Sequence, residues 1–295
     1  MHIGIAGTGK MGGTVAARLK SLGEQVTVWN RTQAKAQALL DAGIGWAATP
    51  RELAERADIV ITLLTDEAAL DEVFFTANGL LAGNVAGKLF MEMSTVPPVK
   101  HQALAVRAKA VQAAYLECPV GGSVGPAKDG KLIGFVGGST EDLARVRPVL
   151  DKLCRRVEHV GGHGAGAAMK LAVNLPLMVY WQTLGEALSL VAPLGLDPAR
   201  VIDILADSSG GPNMLKVRGP MIANALAGAN GPVTVDVATM RKDVRMMLAE
   251  ASAQGRQLPL TQGALNNFDR AAEAGLNAAD CAQLPVWWLR EGGKT

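Results

Sequence analysis

The chain has 295 residues, 49% of them apolar and 19% charged, which is long enough for two ordinary domains and apolar enough to give each a core. That composition excludes a disordered chain and a collagen-like repeat. With 29 Lys and Arg against 27 Asp and Glu the net charge is +2, so neither a nucleic-acid surface nor a polybasic membrane contact is expected. The chain carries no apolar run long enough to span a bilayer, and its first β-type run begins almost at Met1, leaving no room for a signal peptide. A cytoplasmic protein is the expectation. Cys118, Cys154 and Cys281 are too few and too widely spaced for a disulfide framework or a C-x-x-C pair, so they are read as reduced thiols.

In chain order, β-type runs are predicted at Ile3 to Ala6, Gln25 to Trp29, Ile59 to Leu64, Leu89 to Met93, Ala114 to Glu117 and Ile133 to Val136. Amphipathic stretches alternate with them. Gly12 to Leu22 carries Val15, Leu19 and Leu22 at helical spacing and is stopped by Gly23. Thr49-Pro50 opens a helix over Arg51 to Ala57, Pro97-Pro98 precedes one over Val99 to Lys109, and Thr140 precedes one over Glu141 to Cys154. Strands alternating with helical crossovers predict a parallel, doubly wound α/β sheet. After the glycine-rich run Gly161 to Gly166 the pattern changes. A long apolar helix is predicted over Ala167 to Leu194, kinked at Pro176, and then helices over Pro198 to Asp207, Asn213 to Leu226, Thr239 to Gln254 and Gly263 to Ala274. The expectation is therefore two domains, 1–162 α/β and 163–295 all-α, joined by the long helix.

Gly7-Thr8-Gly9-Lys10-Met11-Gly12 lies between the first strand and the first helix, where its glycines let a dinucleotide pyrophosphate approach the helix N-terminus. The second strand ends in Asn30-Arg31-Thr32. An acid at this point would accept hydrogen bonds from an NAD ribose; a neutral Asn, a permanently charged Arg and a hydroxyl suit a 2′-phosphate, so NADP(H) is preferred over NAD(H). Lys170 and Asn174, four residues apart on the long helix, share one face. Leu171, Ala172, Val173 and Leu175 place the lysine on a semi-buried stripe, where its pKa falls and it can exchange a proton near neutral pH.

Four blocks, Gly7 to Gly12, Glu117-Cys118-Pro119-Val120-Gly121-Gly122-Ser123, Gly161 to Asn174 and Lys242-Asp243, occur in an order and spacing that resembles the β-hydroxyacid dehydrogenases, the family of 3-hydroxyisobutyrate dehydrogenase, over nearly the whole chain. Pro126-Ala127 and Asp129-Gly130, together with Asn30-Arg31-Thr32, look closest to its glyoxylate/succinic semialdehyde reductase branch. The resemblance implies a Rossmann-type first domain and the reduction of a small carboxylate-bearing aldehyde by NADPH, without a metal. It implies that Lys170 is the general acid/base and that Asn174 holds the substrate hydroxyl or carboxylate. Gly121, Gly122 and Ser123 would cradle the carboxylate. Thr95, Leu64 and Thr65 would line the nicotinamide ribose, and Lys242 would reach the cofactor or the carboxylate. The alternatives are oxidation of a 3-hydroxyisobutyrate- or serine-type substrate, an imine reductase, whose usual Asp or Tyr is replaced here by Lys170, and a non-catalytic NADP-binding protein. A homodimer or homotetramer is expected.

Two departures bear on the substrate. Gly121 stands where the family usually has Ser, and Val235-Asp236 where relatives commonly have an aromatic; Asp236 is read as the cap of the following helix. His159 and His163 have no ligand partners at metal spacing and are read as loop residues, Trp287-Trp288 as packing residues, and Met240, Met246 and Met247 as core filling.

Overall fold

The computed structural model describes residues 1–292 and divides into two compact units, Met1–Lys170 and a second beginning at Leu171. In the first unit, β1 (His2–Ala6), α1 (Lys10–Ser21), β2 (Gln25–Trp29), α2 (Gln37–Asp41), β3 (Gly45–Trp46), α3 (Pro50–Arg56), β4 (Ile59–Thr62), α4 (Glu67–Phe75), β5 (Leu89–Glu92), α5 (Pro98–Ala110) and β6 (Ala114–Glu117) alternate. The remainder is β7 (Val120–Gly121), α6 (Val124–Asp129), β8 (Leu132–Gly137), α7 (Thr140–Leu153), β9 (Cys154–Gly161) and the start of α8 (Ala165–Val191).

The sheet runs β3-β2-β1-β4-β5-β6-β8-β7, with β9 on the other side of β8. All pairs from β3 to β6 are parallel, which is the doubly wound order with its reversal between β1 and β4. Beyond β6 the sheet turns mixed, because β8 pairs antiparallel to β6 and β7 and parallel to β9. The period-2 alternation of the central strands feeds two cores. Ile3, Ile5, Ile59, Ile61, Leu89 and Met91 pack against α1 and α7, whereas Val60 and Phe90 pack with Leu53, Leu70, Phe74 and Leu104 of α3, α4 and α5 on the other face.

The observed elements correct the sequence reading at several points. β4 ends at Thr62 and β5 at Glu92, so Leu63, Leu64 and Met93 belong to the loops that follow. α7 stops at Leu153, and Cys154 opens β9, an edge strand whose Arg155, Arg156 and Glu158 mask the alternation expected of a buried strand. The short β3 and β7 and the helices α2, α4 and α6 are additional. α4 had a legible start, since Asp66 accepts a hydrogen bond from Ala69 N at 2.9 Å as an N-cap and Leu70, Val73 and Phe74 follow at helical spacing.

In the second unit the rest of α8 is followed by α9 (Pro198–Asp207), α10 (Asn213–Leu226), α11 (Val237–Ala253), α12 (Pro259–Glu273) and α13 (Leu284–Trp287). The helix α8 continues through Pro176 and gives way at Ala192 to a short 3-10 turn. Trp181, Leu184, Ile202, Leu215, Ile222, Val244, Met247, Phe268 and Trp287 form this unit's core, with Met240 buried among them and Met246 and Trp288 packed against it. Asp236 caps α11, accepting from Thr239 N at 2.7 Å. Among the described residues no helix is long and apolar enough to cross a membrane, and all three cysteines are buried, free thiols.

Candidate active site

The C-terminal ends of β1, β2, β4, β5 and β6 lie side by side along one edge of the sheet, where open parallel sheets place their ligands. After β1 the chain turns through the glycine loop. Gly7 has φ +98°, and a Cβ there would run into the Leu63 carbonyl; a Cβ on Gly12 would run into the Gly7 carbonyl. Both glycines are therefore required by the fold itself. Gly9 differs. It caps α1 with an ordinary φ of −63°, and a Cβ there would meet no atom of the chain within 4 Å. Nothing internal demands a glycine at Gly9, and its open side leaves room for a group to approach the loop from outside. Beside it Thr8 is buried with its Oγ1 lacking a hydrogen-bond partner, while Lys10 and Met11 open α1 and its first-turn N–H groups. A pyrophosphate on this helix N-terminus fits both observations.

The end of β2 is built into the same loop. Asn30 accepts from Thr8 N through Oδ1 (3.1 Å) and donates from Nδ2 to the Thr32 carbonyl (2.9 Å). Its amide thus ties the glycine loop to the β2 turn, a role the sequence does not disclose because the partners lie 22 residues apart. An Asp could accept from Thr8 but could not donate to Thr32. Next to it Arg31 is 77% exposed and pairs with Glu72 of α4 at 3.3 Å; a pair this exposed is weak and leaves the guanidinium available to a stronger anion.

Further along the edge the strand ends carry acids. Glu92 accepts from the Thr62 hydroxyl and from Ser94 N, and the Ser94 hydroxyl accepts from Leu64 N at 2.7 Å. This chain of bonds holds together the loops after β4 and β5, which contain Leu64, Thr65 and Thr95. Burial pushes the Glu92 carboxyl up to about 7, its hydrogen bonds to Ser94 and Thr62 opposing the rise and the neighbouring Glu117 adding to it. After β6, Val120 and Gly121 form β7, and Gly122 turns with φ +117° into α6, whose N-cap position is the exposed Ser123. A Cβ on Gly121 would make only ordinary contact with Phe135, at 3.5 Å, so packing does not exclude the family's usual Ser there.

The start of α8 lies against the sheet. A Cβ on Gly166 would strike the Phe135 carbonyl, and Gly164, with φ +97°, has Pro98 and Gln102 within 3.3 Å of where its Cβ would be. His159 and His163 spend their Nε2 atoms on the carbonyls of Gly138 (2.8 Å) and Tyr115 (2.9 Å), which are structural bonds. Lys170, in the second turn of α8, is 8% exposed, and its chain neighbour Leu171 is also buried, whereas Val173 is 46% exposed. Asn174 follows one turn later. In the second unit, Asp243 is the hub: Asn174 Nδ2 donates to its Oδ2 at 3.4 Å and Lys242 Nζ lies 3.4 Å from its Oδ1. Asp243 appeared in the sequence only as the partner half of a dipeptide.

Comparison with known proteins agrees with this geometry. Residues 2–161 match the model of the NAD binding domain of 6-phosphogluconate dehydrogenase, and residues 164–287 that of the NAD-binding domain of NADP-dependent 3-hydroxyisobutyrate dehydrogenase. The chain is 35% identical over 276 residues to a 3-hydroxyisobutyrate dehydrogenase of Pseudomonas aeruginosa, covering 92% of each. It is 30% identical over 280 residues to the chloroplastic glyoxylate/succinic semialdehyde reductase 2 of Arabidopsis thaliana, covering 95% of this chain and 77% of that one. Among solved structures, Psf3 in complex with NADP+ and 2-OPP superposes with a TM-score of 0.85 at 26% identity, covering 96% of this chain and 99% of that one.

Proposed function

Because the chain belongs to the β-hydroxyacid dehydrogenase family and is an NAD(P)-dependent enzyme of it, we propose that it prefers NADPH and reduces a small carboxylate-bearing aldehyde, of the glyoxylate or succinic semialdehyde type, to the hydroxy acid. The observation that carries the reading is Lys170, a lysine nine-tenths buried in the second turn of a helix packed on the sheet edge. The nicotinamide, when bound, supplies the hydride. Lys170 holds a proton at Nζ and gives it to the aldehyde oxygen as that oxygen gains negative charge, which leaves a neutral amine to be reprotonated from solvent. Asn174, one turn on, offers an amide to the hydroxyl or carboxylate. Backbone N–H groups of Gly121 and Gly122, the Ser123 hydroxyl and the Lys242 ammonium are the carboxylate's partners in this reading.

Gly7, Gly9 and Gly12 with the first turn of α1 hold the pyrophosphate, and Arg31 with Thr32 holds the 2′-phosphate. The solved relative in complex with NADP+ supports that choice. The relative named 3-hydroxyisobutyrate dehydrogenase, at 35% identity, favours a second reading in which the same residues run in reverse, neutral Lys170 taking the proton of a hydroxyl as hydride leaves the carbon. One assay separates them. NADPH and NADH oxidation is followed against glyoxylate, succinic semialdehyde, tartronate semialdehyde and methylmalonate semialdehyde, and NADP+ and NAD+ reduction against 3-hydroxyisobutyrate and L-serine. Faster turnover of an aldehyde acid with NADPH supports the first reading; turnover confined to hydroxy acids with NAD+ overturns it.

A further inference from the structure

Glu92 and Glu117 end adjacent parallel strands, are register partners, and are both fully buried, yet neither has a part in the hydride or proton transfer. Burying two carboxylates side by side is costly unless each has work that an uncharged side chain cannot do. The work of Glu117 is visible in its partners. Its Oε1 accepts from the backbone N–H groups of Gly164 (2.9 Å), Gly166 (2.6 Å) and Ala167 (3.2 Å), the donors at the start of α8 that have no partner within the helix. The residues just before α8, Gly161-Gly162-His163-Gly164, include no Ser, Thr, Asp or Asn to cap it locally, so the cap comes from a strand 47 residues earlier. Space is reserved for it, since a Cβ on Gly137 or Gly166 would press on the carboxylate. The other oxygen lies 3.3 Å from His101 Nδ1, and burial lowers the His101 pKa to about 3, so this contact is not an ion pair.

We propose that the two glutamates are positioning residues with separate tasks: Glu117 fixes the first turn of α8 and through it Lys170, and Glu92 fixes the loops after β4 and β5 that line the nicotinamide ribose. The pair thereby sets where proton and hydride are delivered relative to each other. This inference rests on the reading of Lys170 as the proton donor and of Leu64, Thr65 and Thr95 as cofactor contacts.

The test compares Glu117→Ala, Glu117→Asp, Glu92→Ala, Glu92→Gln and Lys170→Ala. NADPH affinity is read by fluorescence, kcat with glyoxylate and succinic semialdehyde, and amide exchange over 164–168 in the cofactor-free protein. Glu117→Ala is expected to raise exchange over 164–168 at least tenfold and lower kcat roughly thirtyfold, with NADPH affinity within threefold. Glu117→Asp, which keeps a carboxyl group but withdraws it by one methylene, should lower kcat by about tenfold and serves if the alanine variant does not fold. Glu92→Ala is expected to weaken NADPH about tenfold with kcat at saturating cofactor within threefold, and Glu92→Gln to restore most of that affinity. A folded Glu117→Asp with kcat within twofold of wild type, or equal effects of the two glutamates on kcat and on NADPH affinity, overturns the proposal while Lys170→Ala remains impaired. If Lys170→Ala turns over like wild type, or neither aldehyde is reduced, the reading beneath the proposal falls.

Discussion

The two ends of one sheet edge use polar groups in opposite ways. At β1 and β2 Asn30 is tied to Thr8 and Thr32, but several groups are left unused by the fold: Gly9 has open space where a side chain would be, Thr8 Oγ1 is buried without a partner, and Arg31 is held only by an exposed ion pair. At β5 and β6 they are spent inside, Glu92 on Thr62 and Ser94, and Glu117 on three N–H groups of α8. An outward group that the fold does not need signals recognition, and an inward one with several partners signals placement. The difference teaches where to expect binding effects and where to expect effects on turnover or stability.

The sharpest way to break that comparison is at two glycines of one loop. Gly7→Ala should destabilise the protein by roughly 2–4 kcal/mol, because φ +98° and the Leu63 carbonyl both oppose a Cβ. Gly9→Ala should leave the melting temperature within a degree or two, yet weaken NADPH roughly tenfold or more by crowding the pyrophosphate. Thermal melts and cofactor titrations of the two variants check this, and similar profiles for both would erase the distinction. Next in size, Arg31→Ala should raise the Michaelis constant for NADPH about tenfold and that for NADH less than twofold, as loss of a charge-assisted bond to the 2′-phosphate requires. Equal effects on both cofactors would remove Arg31 from phosphate recognition.

Glu92 sharpens the other end. Its carboxyl is raised from 4.5 to about 7, so the stability it lends as the neutral acid is fully present below about pH 4.5 and is lost as pH rises through 7. The loss is on the order of 3 kcal/mol, and melts of wild type and Glu92→Gln from pH 4.5 to 8 should diverge by it, the variant falling less. The smallest effect concerns Gly121→Ser. Contact at 3.5 Å allows the side chain without strain, so stability should change by less than about 0.5 kcal/mol while KM for a short aldehyde acid falls a few-fold.

The same contrast explains what could be read from the chain. β2 and β6 run over the residues predicted for them, because short apolar runs bounded by turn residues are local signals, and the glycine loop sits between the predicted strand and helix. β9 has no such local signal, because Arg155, Arg156 and Glu158 break the apolar run of this edge strand. Helix α4 carries a local signal, the Asp66 N-cap followed by Leu70, Val73 and Phe74 at helical spacing. In the sequence Glu117 is only the first residue of a motif and Glu92 carries no signal, since Thr62 lies 30 residues from Glu92 and the α8 N–H groups 47 to 50 residues from Glu117, and they become neighbours only when the strands align. Lys170 stood out by its helix, but its burial owes less to the apolar residues after it than expected, since Val173 is exposed.

The most direct test of the central claim is the turnover of Lys170→Ala with saturating NADPH and the best aldehyde acid of the panel, measured beside NADPH affinity. Loss of the proton donor predicts kcat at least roughly a hundredfold lower with affinity within threefold of wild type. Turnover within threefold of wild type would contradict the assignment of Lys170 as the general acid.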